Sequence, residues 1–196
     1  MNSVEKKILQ EVAGIEEAPR GAYNFRVNGQ AAGRASSANI VITPKPEGTG
    51  IDIHVAPGTK SETVYIPVVI SDSGVKEVVY NDFYIGAGSD VLVVAGCGIH
   101  NDGQGLSQHD GVHSFHLEEN ARVKYVEKHY GEGSGSGQRV LNPSTNVYQK
   151  PGSYMEMQTV QIKGVHNTKR ETYGTLAENA TLVIKENLMT EGTDYA

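Results

Sequence analysis

The chain has 196 residues and a net charge of −6, with its basic residues set among acids, as Arg122, Lys124 and Lys128 are beside Glu118, Glu119 and Glu127. That balance excludes a nucleic-acid surface, which needs Lys and Arg clustered against the phosphates. A single cysteine, Cys97, excludes an internal disulfide and a CxxC metal knuckle.

With 23 Gly, 7 Pro, 10 Tyr and no Trp, the composition favours many short strands joined by turns over long helices. Residues 1–20 read as an N-terminal helix and linker, and 21–196 as a β-structured core domain. Val4, Ile8, Leu9 and Val12 recur at helical spacing over residues 3–13, with Asn2 or Ser3 as cap and Gly14 as stop. This opening has no long apolar stretch, and no run approaches the roughly 18 apolar residues of a membrane span. The expectation is a cytoplasmic chain with no membrane partner.

Beyond Pro19 and Gly21, Tyr23, Phe25 and Val27 alternate up to Asn28-Gly29, a dipeptide suited to a two-residue hairpin turn. Residues 40–42, 51–55, 64–70, 75–85 and 91–94 are rich in β-branched side chains, with Gly, Pro, Asn or Asp in almost every gap. No helix-length periodic segment separates them, which argues against βαβ units. A faint repeat crosses the same region. Glu119-Asn120-Ala121-Arg122-Val123-Lys124-Tyr125 returns as Glu178-Asn179-Ala180-Thr181-Leu182-Val183-Ile184, and similar turn-plus-strand units begin at Gly88 and Pro151. Positions 90, 121, 153 and 180 read as the small residues of successive units. Units that cannot bury their own apolar face stack into a solenoid. The pattern predicts an all-β chain folded as a parallel β-helix, whose narrow core suits Ala, Val, Leu and Ile better than bulky aromatics. An irregular β sandwich or barrel is the rival. Gly131 to Gly137, GEGSGSG, reads as a flexible loop, and it lacks the Lys-Ser/Thr of a phosphate-binding loop.

Reactive side chains concentrate between 97 and 116: Cys97, His100, Asp102, His109, Asp110, His113 and His116. Thiolate and imidazole suit zinc, ferrous iron or an iron–sulfur centre better than Mg or Ca. Cys97, His100, His109 and His113 form the candidate metal-ligating set. The bland alternative makes Cys97 a small buried hydrophobe ending the apolar strand 91–95, with the histidines as ordinary turn and strand residues. His113 and His116, three apart, fall on opposite faces of a regular strand. Two enzymatic readings are weaker. A polysaccharide-active β-helix could draw on Asp102, Asp110, Glu118, Glu119 and Arg122, but no export signal and no Trp platform accompany them. A Cys–His hydrolase would pair Cys97 with His100 or His113, and no recognisable signature surrounds that pair. No catalytic residue is assigned, and the expectation is a protein that is not an enzyme.

Longer strings carry more. GCGIHNDG (Gly96 to Gly103), HDGVHSFHLEENARVKYVEKHYGEG (His109 to Gly133), SYMEMQTVQIKGV (Ser153 to Val165) and TKRETYGTLAENATLVIKE (Thr168 to Glu186) resemble the SufB/SufD family, the scaffold subunits of the SUF iron–sulfur cluster assembly machinery. GIDIHVAPGT and IPVVISDSG upstream fit as well, and the resemblance, to the short SufB-like form in particular, covers roughly residues 20–190. It implies a right-handed parallel β-helix that accepts sulfur and iron and passes a transient iron–sulfur cluster to apo-proteins. The implied partners are a SufC-type ABC ATPase, a second SufB/SufD-type subunit or another copy of this chain, and a cysteine desulfurase as sulfur donor. The missing Walker motif agrees with an ATPase supplied in trans.

Cys97 stands at the family's Gly-Cys motif, which implies a role in sulfur relay. Relay needs a thiolate, and a protonated His100 nearby would lower the thiol pKa. One cysteine cannot supply a four-thiolate cluster, so further ligands would come from His, Glu, Asp, a partner or a second Cys97. Full-length family members continue past the strand at 182–185 into a helical region that docks the ATPase. The resemblance therefore implies a shortened form with an open last rung, and leaves SufB against SufD undecided. A β-helical structural or interaction module without its own cluster site is the alternative.

Overall fold

The computed structural model describes residues 1–189 and the backbone of 194–195. Helix α1 spans Ser3–Ala13. Asn2 caps it by accepting from the Glu5 N–H at 2.9 Å, while the Glu5 carboxylate accepts from the Asn2 N–H at 2.8 Å. Gly14 ends it in the left-handed conformation, at φ 71°.

The strands follow in chain order. β1 (Ala22–Val27) and β2 (Gln30–Ala35) form the expected hairpin, with Asn28 and Gly29 both at positive φ, 49° and 78°. β3 (Ile40–Pro44) pairs antiparallel with β4 (Gly50–Val55). Then come β5 (Lys60–Ile70), β6 (Lys76–Ile85), β7 (Asp90–His100), β8 (Ser107–Leu117) and β9 (Arg122–Glu132). The last group is β10 (Arg139–Leu141), β11 (Ser144–Gln149), β12 (Tyr154–Lys163), β13 (Asn167–Thr168), β14 (Glu171–Leu176), β15 (Thr181–Leu188) and β16 (Asp194–Tyr195). One sheet orders them β2-β1-β5-β7-β9-β12-β15, and the other β3-β4-β6-β8-β10-β13-β16, with β11 and β14 continuing its later rungs. Apart from the two antiparallel hairpins at the first edge, every pairing among the described residues is parallel. The chain alternates between the sheets and climbs one rung per circuit, so the fold is a parallel β-helix of about four turns.

A repeated four-residue corner sets this geometry. Gly58, Gly88, Asn120, Gly152 and Asn179 hold its third position at φ 73°, 65°, 57°, 68° and 56°, a region open to Gly and tolerated by Asn. Corners also bond to one another along the solenoid: Gly88 N–H donates to the Glu119 carbonyl at 2.9 Å, and Asn120 N–H to that of Pro151 at 3.1 Å. The small inward residue of the second corner is Ser89, fully buried like Ala121 and Ser153. Position 90 is not that residue: Asp90 is exposed and opens β7, where it pairs with Arg122.

The corner on the opposite side is wider, and it corrects the reading of GEGSGSG as flexible. Residues 133–137 lie stacked on residues 101–105. Gly135 N–H donates to the Asn101 carbonyl at 3.1 Å and Gly137 N–H to that of Gly103 at 2.9 Å. A Cβ on Gly133, Gly135 or Gly137 would run into that backbone. The glycines serve close stacking here, not mobility.

Inside, Phe83 and Phe115 stack with ring centroids 4.2 Å apart, and Tyr125 meets Phe115 edge-on at 5.0 Å. These are the largest fully buried side chains, so the core is more aromatic than a narrow solenoid suggests. On the outside, α1 buries Ile8, Leu9 and Val12 against Phe25, Val69 and Tyr130. Among the described residues no helix is long and apolar enough to cross a membrane.

Candidate functional site

Strand alternation sends Cys97 of β7, Glu127 and His129 of β9, and His109, Gly111 and His113 of β8 into the solenoid. Register places Cys97 beside His129, Asn81 beside His113, and Glu77 beside His109. This polar stretch lies between two apolar clusters. One contains Phe83, Phe115 and Tyr125; the other contains Val68, Ile70, Ile99, Leu141, Val165 and Cys97 itself.

Buried carboxylates anchor the imidazoles. Arg26 donates to Glu77 Oε2 from Nε at 3.0 Å and Nη2 at 2.7 Å, and Glu77 Oε1 lies 3.1 Å from His109 Nδ1. In a second chain, Arg170 donates to Glu127 Oε2 at 3.1 Å and to Thr159 Oγ1 at 3.0 Å. Tyr125 donates its hydroxyl proton to Glu127 Oε1 at 3.0 Å, and its oxygen is 3.1 Å from His113 Nδ1. Burial alone would raise both carboxyl pKa values. His109 and Arg26 outweigh it at Glu77, and His129, Arg170 and His113 outweigh it at Glu127, so both are held as carboxylates. Each carboxylate chain therefore asks for a proton on Nδ1 of its histidine and leaves Nε2 with a free lone pair. Burial is the main cause that brings His113 down to a pKa of about 4, so its ring is neutral at pH 7.

Gly111 leaves room between the two rings. A Cβ placed on it would stand 3.0 Å from His113 Nε2 and 3.3 Å from His109 Nε2. The resulting cavity is lined by Asn81, Cys97, His109, Gly111, His113, Glu127 and His129, together with Asn142 and Pro143, where the third-turn strand breaks between β10 and β11. About 20 Å³ of it is open to the centre of a water-sized atom. That is room for one water or one sulfur atom and too little for the rhomb of a [2Fe–2S] centre. Asn81 Oδ1 is buried with no hydrogen-bond partner.

The sequence-derived set is thus divided. Cys97, His109 and His113 line one cavity; His100 does not. Three positions from Cys97 along β7, His100 falls on the other face, where Nε2 meets Asp102 Oδ2 at 2.8 Å and Nδ1 lies 3.4 Å from Glu132. It does not act on the Cys97 thiol. That thiol is pushed well up, first by burial and then by the charges of Glu77 and Glu127. Asp110 points away as well, accepting from Gln108 at 2.8 Å and Asn142 at 2.9 Å. His116 is on the outer face, as its spacing from His113 requires, stacked 5.0 Å from both Tyr84 and Tyr148. Sequence reasoning missed Asn81, Glu127, His129 and Arg170. The signal for the third was a spacing: His129 stands one full turn after Cys97.

Among the described residues no three His, Cys, Asp or Glu side chains are gathered closely enough to hold a metal ion as they stand. Comparison of the chain with protein-family models, curated proteins and solved structures finds no match.

Proposed function

We propose that this chain is a scaffold subunit of iron–sulfur cluster assembly, that Cys97 is its sulfur acceptor, and that it works with an ABC-type ATPase and a second β-helical subunit or copy. The observation that carries the reading is Cys97 bordering an atom-sized cavity inside the solenoid. The step needs a persulfide donor, R–S–SH, of the kind a cysteine desulfurase carries. The Cys97 thiolate attacks the outer sulfur, the donor's S–S bond breaks, R–S⁻ leaves, and Cys97–S–SH forms. The cavity holds the added sulfur atom. It does not hold a cluster, so iron and further sulfide would join at a surface shared with a partner. Intact-mass measurement after incubation with a persulfide donor tests this. Wild type should gain one sulfur atom and Cys97→Ser none; no gain on wild type rejects the role.

A second reading has its own support. Cys97 is 3% exposed, and its raised pKa makes the thiolate scarce. A purely structural β-helix would show that. Under this reading a small thiol reagent leaves the native chain untouched and modifies it only on unfolding, and the sulfur donor fails equally.

A further inference from the structure

We infer that His109 and His113 form a binding site for a single divalent transition-metal ion, of the zinc or ferrous class, over Gly111, with Asn81 as the third ligand. The two imidazoles are prepared for it. Each has Nδ1 tied to a carboxylate chain, His109 directly to Glu77 and His113 through Tyr125 to Glu127. Such outer partners fix the tautomer and orientation of metal-bound histidines and raise their basicity. Both Nε2 lone pairs then flank the one inward position of β8 that carries no side chain.

Asn81 is the second, independent observation. It is 6% exposed, it borders the same cavity, and its Oδ1 has no partner. Leaving a buried amide oxygen unpaired is unfavourable, and a bound cation is what such an acceptor can serve. Asn81 takes the place that a third His, Cys, Asp or Glu would fill. Two imidazoles and one amide oxygen suit a borderline ion, since Mg and Ca want mainly oxygen. The space fits one atom, the ion itself, so an ion here and a sulfur atom added to Cys97 would exclude one another. Glu77 and Glu127 behind the rings offset the ion's charge. Asn142 and Pro143, at the break between β10 and β11, border the cavity.

The inference does not depend on sulfur reaching Cys97. Metal-free full-length chain is titrated with Co²⁺, followed by visible d–d absorption, then competed with Zn²⁺. Wild type should bind one equivalent, with the band intensity of a low-coordinate site. His109→Ala and His113→Ala should each weaken binding at least ~10-fold. Gly111→Ala should do the same, because it keeps every ligand and puts a methyl group between the rings. His100→Ala and His116→Ala should bind as wild type, and thermal melting checks that each variant is folded. A wild type with no cobalt spectrum, or a folded Gly111→Ala that binds like wild type, overturns the site. So does a loss that follows His100 or His116. Failure of the persulfide experiment leaves the cobalt spectrum unchanged, so the two proposals fail separately.

Discussion

Ile8 rests directly on Gly98: a Cβ built on the glycine would overlap the Ile8 side chain. Gly96, two residues earlier on the same outward face of β7, lies likewise under Val12. The Gly-Cys-Gly string therefore does two jobs on two faces. Its glycines form the bare shelf on which α1 lies, and Cys97 between them turns inward. Gly98→Ala should cost about 1–3 kcal/mol through overpacking. The expected result is a lower melting temperature together with faster amide exchange across residues 3–13. Unchanged exchange there would mean that α1 is not held by this shelf.

The neutral His113 makes the core acid-sensitive. Its pKa is near 6.5 when unfolded and about 4 when folded, so between those values the unfolded chain binds the extra proton. Stability then rises with pH, and on acidification it drains away from about pH 6.5 down to about pH 4. The shift corresponds to roughly 3 kcal/mol at most. Urea denaturation from pH 7 to pH 4 should show the loss. His113→Gln should flatten the slope in that window, whatever it does to stability at pH 7. A variant with the wild-type slope would place the sensitivity on another group.

Asn120 holds its corner at φ 57°, where a side chain branched at Cβ is strained by about 1–2 kcal/mol. Asn120→Val should lose that much, and Asn120→Gly should stay close to wild type. Equal losses would show that the Asn side chain, and not the backbone conformation, matters at this corner.

Much of this solenoid was legible because its rules are local. Asn2 and Gly14 bracket α1, Asn28-Gly29 makes the first hairpin, and Gly or Asn before a small buried residue marks the corners. What escaped was what neighbouring turns do to each other. GEGSGSG has the composition of a linker, yet its glycines are required by the backbone of residues 101–105 one turn away. Cys97 and His129 are far apart in the chain and adjacent in the sheet. The cluster of residues between 97 and 116 drew attention to His100 and His116, which alternation turns outward. The polar interior is built by alternate residues of one strand, such as His109 and His113, together with residues one turn apart, such as Cys97 and His129.

Arg170 and Glu127 test how that interior is held together. Arg170 enters at the break between β13 and β14, and its side chain is 10% exposed against 7% for Glu127. A buried pair of this kind gains little over apolar packing, but removing one partner strands the other, at a cost of about 3–5 kcal/mol. Arg170→Ala should be destabilising on that scale by urea denaturation. Glu127 is otherwise left with the Tyr125 hydroxyl and a His129 whose Nε2 is 3.6 Å away. Arg170→Met combined with Glu127→Gln should recover most of the loss, because the one carboxylate left without its guanidinium, Glu186, is 38% exposed and solvated. If Arg170→Ala alone costs less than about 1 kcal/mol, solvent is reaching Glu127 in place of the guanidinium. The rungs near the strand break would then be wet, and the cavity beside Cys97 would be joined to bulk water on that side.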